Sequence, residues 1–304
     1  MLKQLQICNG KLVEGNGECP VLVYIAPDEA ERRHLVDTYK IDEHTLNSSL
    51  DPDELARMEF EPEHVAVIFK RPKNYSSEDN YLFKVASTGL FLFKDRLIIV
   101  MAEDAPLFEG KQFLKVQSLQ DIVLRLVYRS IFHFEEHLKV INMISGQLEQ
   151  EVNRAMENKH LLNLFTLEKS LTYYLNAINS NARLIEKMRM NAPKLGFTPE
   201  NLEYLDDITI ENAQCHEQAN VYSSILASLM DARASIVANN LNVLMKTLNI
   251  IMIALMLPTL VVSIFSMNVS LPIAQNHPMS FWIIFGLAVA SSVVVGAIWW
   301  KKKL

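Results

Sequence analysis

Hydrophobic and polar positions change rhythm three times along this chain. From Met1 to about Val116 the apolar residues come in short β-branched or aromatic runs, Val21 to Ile25, Val65 to Phe69, Tyr81 to Ala86 and Leu97 to Met101, each of strand length. Two helices are expected between them. One opens at Pro27-Asp28 and runs through Glu31, Arg32 and Leu35; the other opens at Asp51-Pro52, where Asp suits a cap and Pro the first turn. Residues 1–117 therefore read as an α/β domain.

From Ser118 the strand signals stop. Ile122, Leu126, Ile131, Leu138 and Ile141 recur at helical spacings among charged residues, so residues 118–197 read as one or two long helices. Asn191 to Pro199 ends that region and starts another helix, with Thr198 as N-cap, Pro199 at the first helical position and Glu200 favoured by the helix dipole. No glycine and only Pro258 follow before Asn268, so residues 198–268 read as one helix, a stalk of roughly 105 Å at about 1.5 Å per residue. Tyr222, Ile225, Leu226 and Leu229 give it an apolar stripe suited to packing.

The last rhythm is continuous apolarity. Leu248 to Met267 carries no charge, and Phe281 to Trp300 is about as long and ends on Lys301, Lys302 and Lys303, so both meet the length test for a membrane span. The lysines mark a cytoplasmic end, with Trp299 and Trp300 at the interface. Two spans then place both termini inside, joined by a short outer loop at 269–279, with the second span at 280–300 and a basic tail at 301–304. The first span is unusual, because Asn242, Met245, Asn249, Met256, Thr259 and Ser263 recur by three, four or seven and share one side. Polar groups in a membrane helix face protein or water. Either the asparagines tie helices together by hydrogen bonds, or several copies surround an axis and the stripe lines a pore.

Charge sharpens the picture. The net charge is −6, but Asp231 is the last carboxylate, and up to that point 24 basic residues face 35 acidic ones. Such a body repels nucleic acid and attracts cations. Cys8, Cys19 and Cys215 are scattered, which argues against a disulfide framework or structural zinc, and the N-terminus lacks a secretory core, so a cytoplasmic body is expected. His133-Phe134-Glu135-Glu136-His137 matches a short zinc-peptidase pattern, but no further ligand cluster accompanies it; a solvated helix face is the simpler reading. Phosphate-binding glycine loops are missing, so nucleotide-driven pumping is not expected.

With Ser266-Met267-Asn268 at the outer end of the first span, the chain resembles the CorA family, which carries Gly-Met-Asn there ahead of a short loop and a second span. Asn242 to Leu248 also resembles the family's segment leading into the pore, as do the Asp51 to Glu54 run and the helical stretch Asn163 to Met188. The resemblance implies a funnel-shaped homopentamer in the cell (inner) membrane, a passive channel for Mg2+ or another divalent cation, with no cofactor and no catalytic residue. It implies that Asn268 forms the outer ring that receives the hydrated ion, beside Met267 and Ser266. By the same likeness Asn242 forms an inner polar ring, Met245, Leu248 and Met256 a hydrophobic constriction, and Thr259 lines the upper pore. Asp231 sits where the family places a regulatory aspartate that binds cytoplasmic Mg2+ and holds subunits closed.

Two departures keep a second reading open. Ser266 replaces the glycine of the motif, where close approach or a special backbone angle could be required, and the loop Val269 to Pro278 has no carboxylate to concentrate cations. The alternative is a divergent member that conducts Zn2+ or Co2+, or that serves as a membrane scaffold.

Overall fold

The computed structural model describes residues 1–15, 17, 19–76, 79–154, 158–269 and 278–302; most of the loop expected at 269–279 thus lies outside the described residues. Two compact units divide the chain, Met1–Met230 and Asp231–Leu304.

The first unit is built on a seven-stranded sheet. Its strands are β1 (Leu2–Cys8), β2 (Lys11–Glu14), β3 (Val21–Ile25), β4 (Arg57–Phe60), β5 (His64–Pro72), β6 (Val85–Phe93) and β7 (Leu97–Met101), in the order β2-β1-β3-β7-β6-β5-β4. Only β3 and β7 pair in parallel. Alternation divides the side chains between two cores. Val21, Val23 and Ile25 of β3, with Leu97, Ile99 and Met101 of β7, enter the larger core, while Leu22, Tyr24, Ile98 and Val100 enter a smaller one. The smaller core is closed by α1 (Glu29–Tyr39) and α2 (Glu43–Leu50) through Leu35 and Leu46. The larger is closed by α3 (Leu119–Arg154) and α4 (Asn158–Met190).

Helix α1 begins as the sequence suggests: the Asp28 carboxylate accepts from the Glu31 amide at 2.8 Å, and Glu31 accepts from the Asp28 amide at 3.1 Å, a reciprocal cap. Two expectations fail. Asp51-Pro52 opens no helix; Asp51 is the C-cap of α2, an element whose mixed sequence EHTLNSSL carries little apolar periodicity, and a turn follows. Tyr81 to Ala86 is not one strand, since Tyr81 has φ +66° in a turn and β6 starts at Val85. Helix α2 crosses β6 at Gly89, where any Cβ would collide with the Ser49 side chain.

Polar residues of α4 complete the sheet. Strand β4 ends its pairing with β5 at Arg57–Ile68, leaving the next backbone of β5 that faces this side, at Lys70, paired only with β6 and open on the β4 side. Asn181, fully buried, takes that place: its Oδ1 accepts from the Lys70 amide and its Nδ2 donates to the Lys70 carbonyl, both at 2.8 Å. Ser170 and Ser180 likewise accept from the amides of Phe83 (3.0 Å) and Ala56 (2.6 Å). The buried Lys70 ammonium donates to the carbonyls of Pro52 and Glu54 and to Ser87 Oγ, fixing the turn after α2; burial lowers its pKa to about 8.

After the short α5 (Ala192–Leu195), Gly196 adopts φ +70° and the chain turns into α6 (Pro199–Phe265). Thr198 and Asn201 exchange side chain to backbone bonds at 3.2 and 3.3 Å, which caps it. Helix α7 (Ser280–Lys302) is the last element.

Candidate functional site

The second unit contains the apolar part of α6 together with α7, and both helices are long and apolar enough to cross a membrane. Their mutual face is visible in the burial pattern. On α6 the half-buried residues are Ile250, Ala254, Leu257, Pro258, Val261 and Phe265; on α7 they are Ile284, Ser291, Ser292 and Val295, around the buried Ala288. Small residues at the contact allow close approach.

The sequence-predicted stripe lies on the other side. Asn242, Met245, Leu248, Asn249, Met256, Thr259 and Ser263 are all exposed, Met256 to 68%. At about 100° per residue the centre of the stripe falls roughly 160° round the helix from the face that meets α7, with Leu248 at its edge. One chain therefore half-buries an apolar face of α6 against α7 and leaves asparagine amides, thioethers and hydroxyls uncovered. Met252, exposed to 46%, shares this side and was missed in the sequence. The signal was present, since Met252 follows Met245 by seven and precedes Met256 by four, but a methionine inside an apolar run does not stand out as asparagine does.

The stripe ends at Ser266, Met267 and Asn268. The Ser266 amide donates to the carbonyls of Val262 (3.1 Å) and Ser263 (3.2 Å), and its hydroxyl donates to the Ser263 carbonyl at 2.8 Å, so the last turn of α6 tightens and stops. Asn268 follows, exposed. Ser266 is not among the residues with positive φ, so its backbone lies where any L residue can sit, and the serine in place of glycine is accommodated without strain. Asp231 is exposed on α6, at the first residue of this unit, and its carbonyl accepts from Ser235 at 3.0 Å. Among the described residues no three His, Cys, Asp or Glu side chains come together as a metal site.

The His133/Glu136/His137 pattern on α3 resolves into packing. The two imidazoles lie edge to face at 4.4 Å, His137 Nδ1 meets the Tyr174 hydroxyl at 2.6 Å, and Glu136 is exposed and paired with Arg129 at 3.1 Å. Burial pushes His133 down to about 3, helped by His137, Arg129 and Arg71 nearby; it pushes His137 down to about 4 against the opposing pull of Glu136. Both folded values lie below the ordinary 6.5, so the unfolded chain binds more protons as pH falls, and the stability these residues contribute is complete above pH 6.5 and lost below it. The expected loss is about 1.4 kcal/mol per pH unit for each histidine between pH 6 and 4. Thermal unfolding of the full chain, followed by circular dichroism from pH 7.5 to 5, should show a falling midpoint, flattened in His133→Gln/His137→Gln. An equal slope in that variant would rule the pair out.

A cleft of about 1000 Å3 in the first unit is lined by Arg125, Tyr128, Arg129, Tyr204, Asp207 and Glu211, among others. Its two arginines are already engaged. Arg125 donates to Asp121 at 2.8 Å, to the Lys115 carbonyl at 3.1 Å and to the Gln112 carbonyl, and Arg129 pairs with Glu136.

A sheet-bearing N-terminal unit, a long helix that ends in an apolar segment and a second apolar helix form the architecture of the chain. The model of the CorA-like Mg2+ transporter family matches residues 22–303, nearly the whole chain, and the protein belongs to that family of transporters. Among solved structures it is similar to the CorA magnesium transporter from Methanocaldococcus jannaschii, at TM-score 0.81 and 18% identity, covering 98% of this chain and 96% of that one. It is also similar to the full-length CmaX protein (TM-score 0.73, 14% identity, 100% and 97% covered) and to the cytoplasmic domain of ZntB from Vibrio parahaemolyticus (0.61, 13%, 78% and 98%). At these identities the likeness establishes the fold. No curated protein matches the chain.

Proposed function

We propose that this protein is a passive divalent-cation channel with Mg2+ as its ion, formed by five copies whose α6 stripes face a common axis. The observation that carries this reading is the uncovered stripe: a polar, methionine-rich helix side opposite the α7 contact needs either water or further copies, and a pore supplies both. Asn268, with Met267 and Ser266, forms the outer ring. Thr259 and Ser263 line the passage below it, Met256, Met252, Leu248 and Met245 narrow it with Asn249 among them, and Asn242 lines its inner end. Magnesium gives up water reluctantly, so neutral amide oxygens that accept from its hydration shell suit it better than ligands that demand dehydration.

Both termini are assigned to the cytoplasm of a cell whose inner membrane holds the channel. There the acidic first unit concentrates cations, and Asp231 from neighbouring copies binds cytoplasmic Mg2+, offsetting carboxylate repulsion and favouring the closed state. Entry needs no nucleotide, because an inside-negative potential favours a divalent ion by roughly 4.6 kcal/mol per 100 mV, twice the single-charge value. A second reading, Zn2+ or Co2+ as the ion, draws on the departure at Ser266 and on a loop without carboxylates.

The test is uptake into liposomes holding purified protein and an internal dye, with Mg2+, Zn2+ and Co2+ supplied separately, for the native chain and Ser266→Gly. Mg2+ uptake by the native chain supports the proposal, and uptake of Zn2+ or Co2+ alone supports the second reading. Mg2+ uptake only in Ser266→Gly would mean that this branch has given up Mg2+ conduction. Failure with every ion in both proteins would refute transport and leave a scaffold.

A further inference from the structure

Helix α6 contains Pro258 in the middle of its apolar segment. Proline has no amide hydrogen, so the carbonyl four residues earlier, that of Ala254, loses its helical donor. In hydrocarbon no water can replace it. The Ser292 hydroxyl of α7 lies 3.4 Å from this same oxygen and donates to it, within the second unit. The neighbouring Ser291 behaves differently, since its hydroxyl turns back to the Ala288 carbonyl of its own helix at 2.6 Å. The Leu255 carbonyl, one residue on, receives the Thr259 hydroxyl at 2.8 Å. Hydroxyl donors thus reach two successive carbonyls at the proline break, one of them from the other helix.

We infer that Ser292 is a positioning residue: it substitutes for the hydrogen missing at Pro258 and so sets the direction in which α6 continues beyond the break. The consequence for transport rests on the reading of α6 as the pore helix. Met256 is within the turn between Ala254 and Pro258, and Thr259, Ser263 and Asn268 follow it, so the bond between α7 and Ala254 fixes how the outer half of the stripe is presented. Because Ser292 is on the far side of α6 from the stripe, it would act without touching the ion.

The experiment is a double-mutant comparison read by hydrogen exchange of the full chain in detergent micelles, which needs no ion flux. Ser292→Ala should speed exchange of the amides of residues 255–257 and 259–262 severalfold, up to about tenfold, the effect of losing one hydrogen bond. Ser292→Thr, which keeps the hydroxyl, should retain native exchange. In Pro258→Ala the Ala254 carbonyl regains its helical donor, so adding Ser292→Ala should then change nothing. Native exchange in Ser292→Ala, or the same acceleration with and without Pro258, would overturn the inference. Mg2+ uptake measured on the native chain and the same four variants separates the two proposals: exchange that follows the pattern in a chain without uptake keeps the positioning role and refutes only the pore.

Discussion

Replacing Asn268 with alanine is expected to lower Mg2+ uptake by at least about a hundredfold while leaving the fold intact. The residue is exposed beyond the last turn of α6, so its truncation creates no cavity. In the assembled pore, each copy would lose an amide oxygen that accepts from the ion's hydration shell. At about 0.5–1.5 kcal/mol per hydrogen bond, a few such losses at one ring exceed the roughly 2.7 kcal/mol that corresponds to a hundredfold. Asn268→Asp tests the same site from the other side. A ring of carboxylates attracts divalent ions more strongly but holds them, and conduction needs an ion to leave as well as enter. Slower Mg2+ flux with stronger competition from other divalent cations is therefore expected in the dye assay. Native uptake by Asn268→Ala would remove the outer ring from the mechanism.

Asn181→Ala should destabilise the first unit by about 2–6 kcal/mol, because it leaves two buried backbone groups of Lys70 without their Asn181 partners, at about 1–3 kcal/mol each. Asn181→Leu fills the volume but supplies neither bond, so it should be nearly as damaging, which distinguishes hydrogen bonding from packing. Denaturant unfolding of the full chain, followed by tyrosine circular dichroism, measures this. A cost below about 1 kcal/mol for both variants would show that the β5 edge finds other partners. The damage should extend to the turn after α2, since Lys70 also anchors the carbonyls of Pro52 and Glu54.

The contrast between Thr198-Pro199 and Asp51-Pro52 shows how far local pattern reaches. Both pair a capping residue with proline. The first opens α6, because a long unbroken helical sequence follows it. The second closes α2, because the buried Lys70, distant in sequence, takes the carbonyls of the turn that follows. The Tyr81 to Ala86 error is similar: its apolar residues are ordered by docking, with the Phe83 amide bonded to Ser170 of α4 rather than to a strand. The histidine pattern on α3 was legible as a spacing, but the pairing of Glu136 with Arg129 and of His137 with Tyr174 was not.

By itself the sequence determined the two apolar C-terminal helices, the helix that leads into the first of them, and the side of that helix on which Asn242, Asn249, Thr259 and Ser263 recur, because length, charge and periodicity are properties of neighbouring residues. Only the tertiary structure decided that α7 covers the opposite side, that Met252 joins the stripe, that Asn181 completes the sheet edge, and that Ser292 meets the carbonyl freed by Pro258. The physical reason is that an unpaired backbone group or an uncovered helix face takes whatever complementary surface the fold brings to it, and residues 38 or 111 positions apart in the chain carry no periodic mark of that meeting.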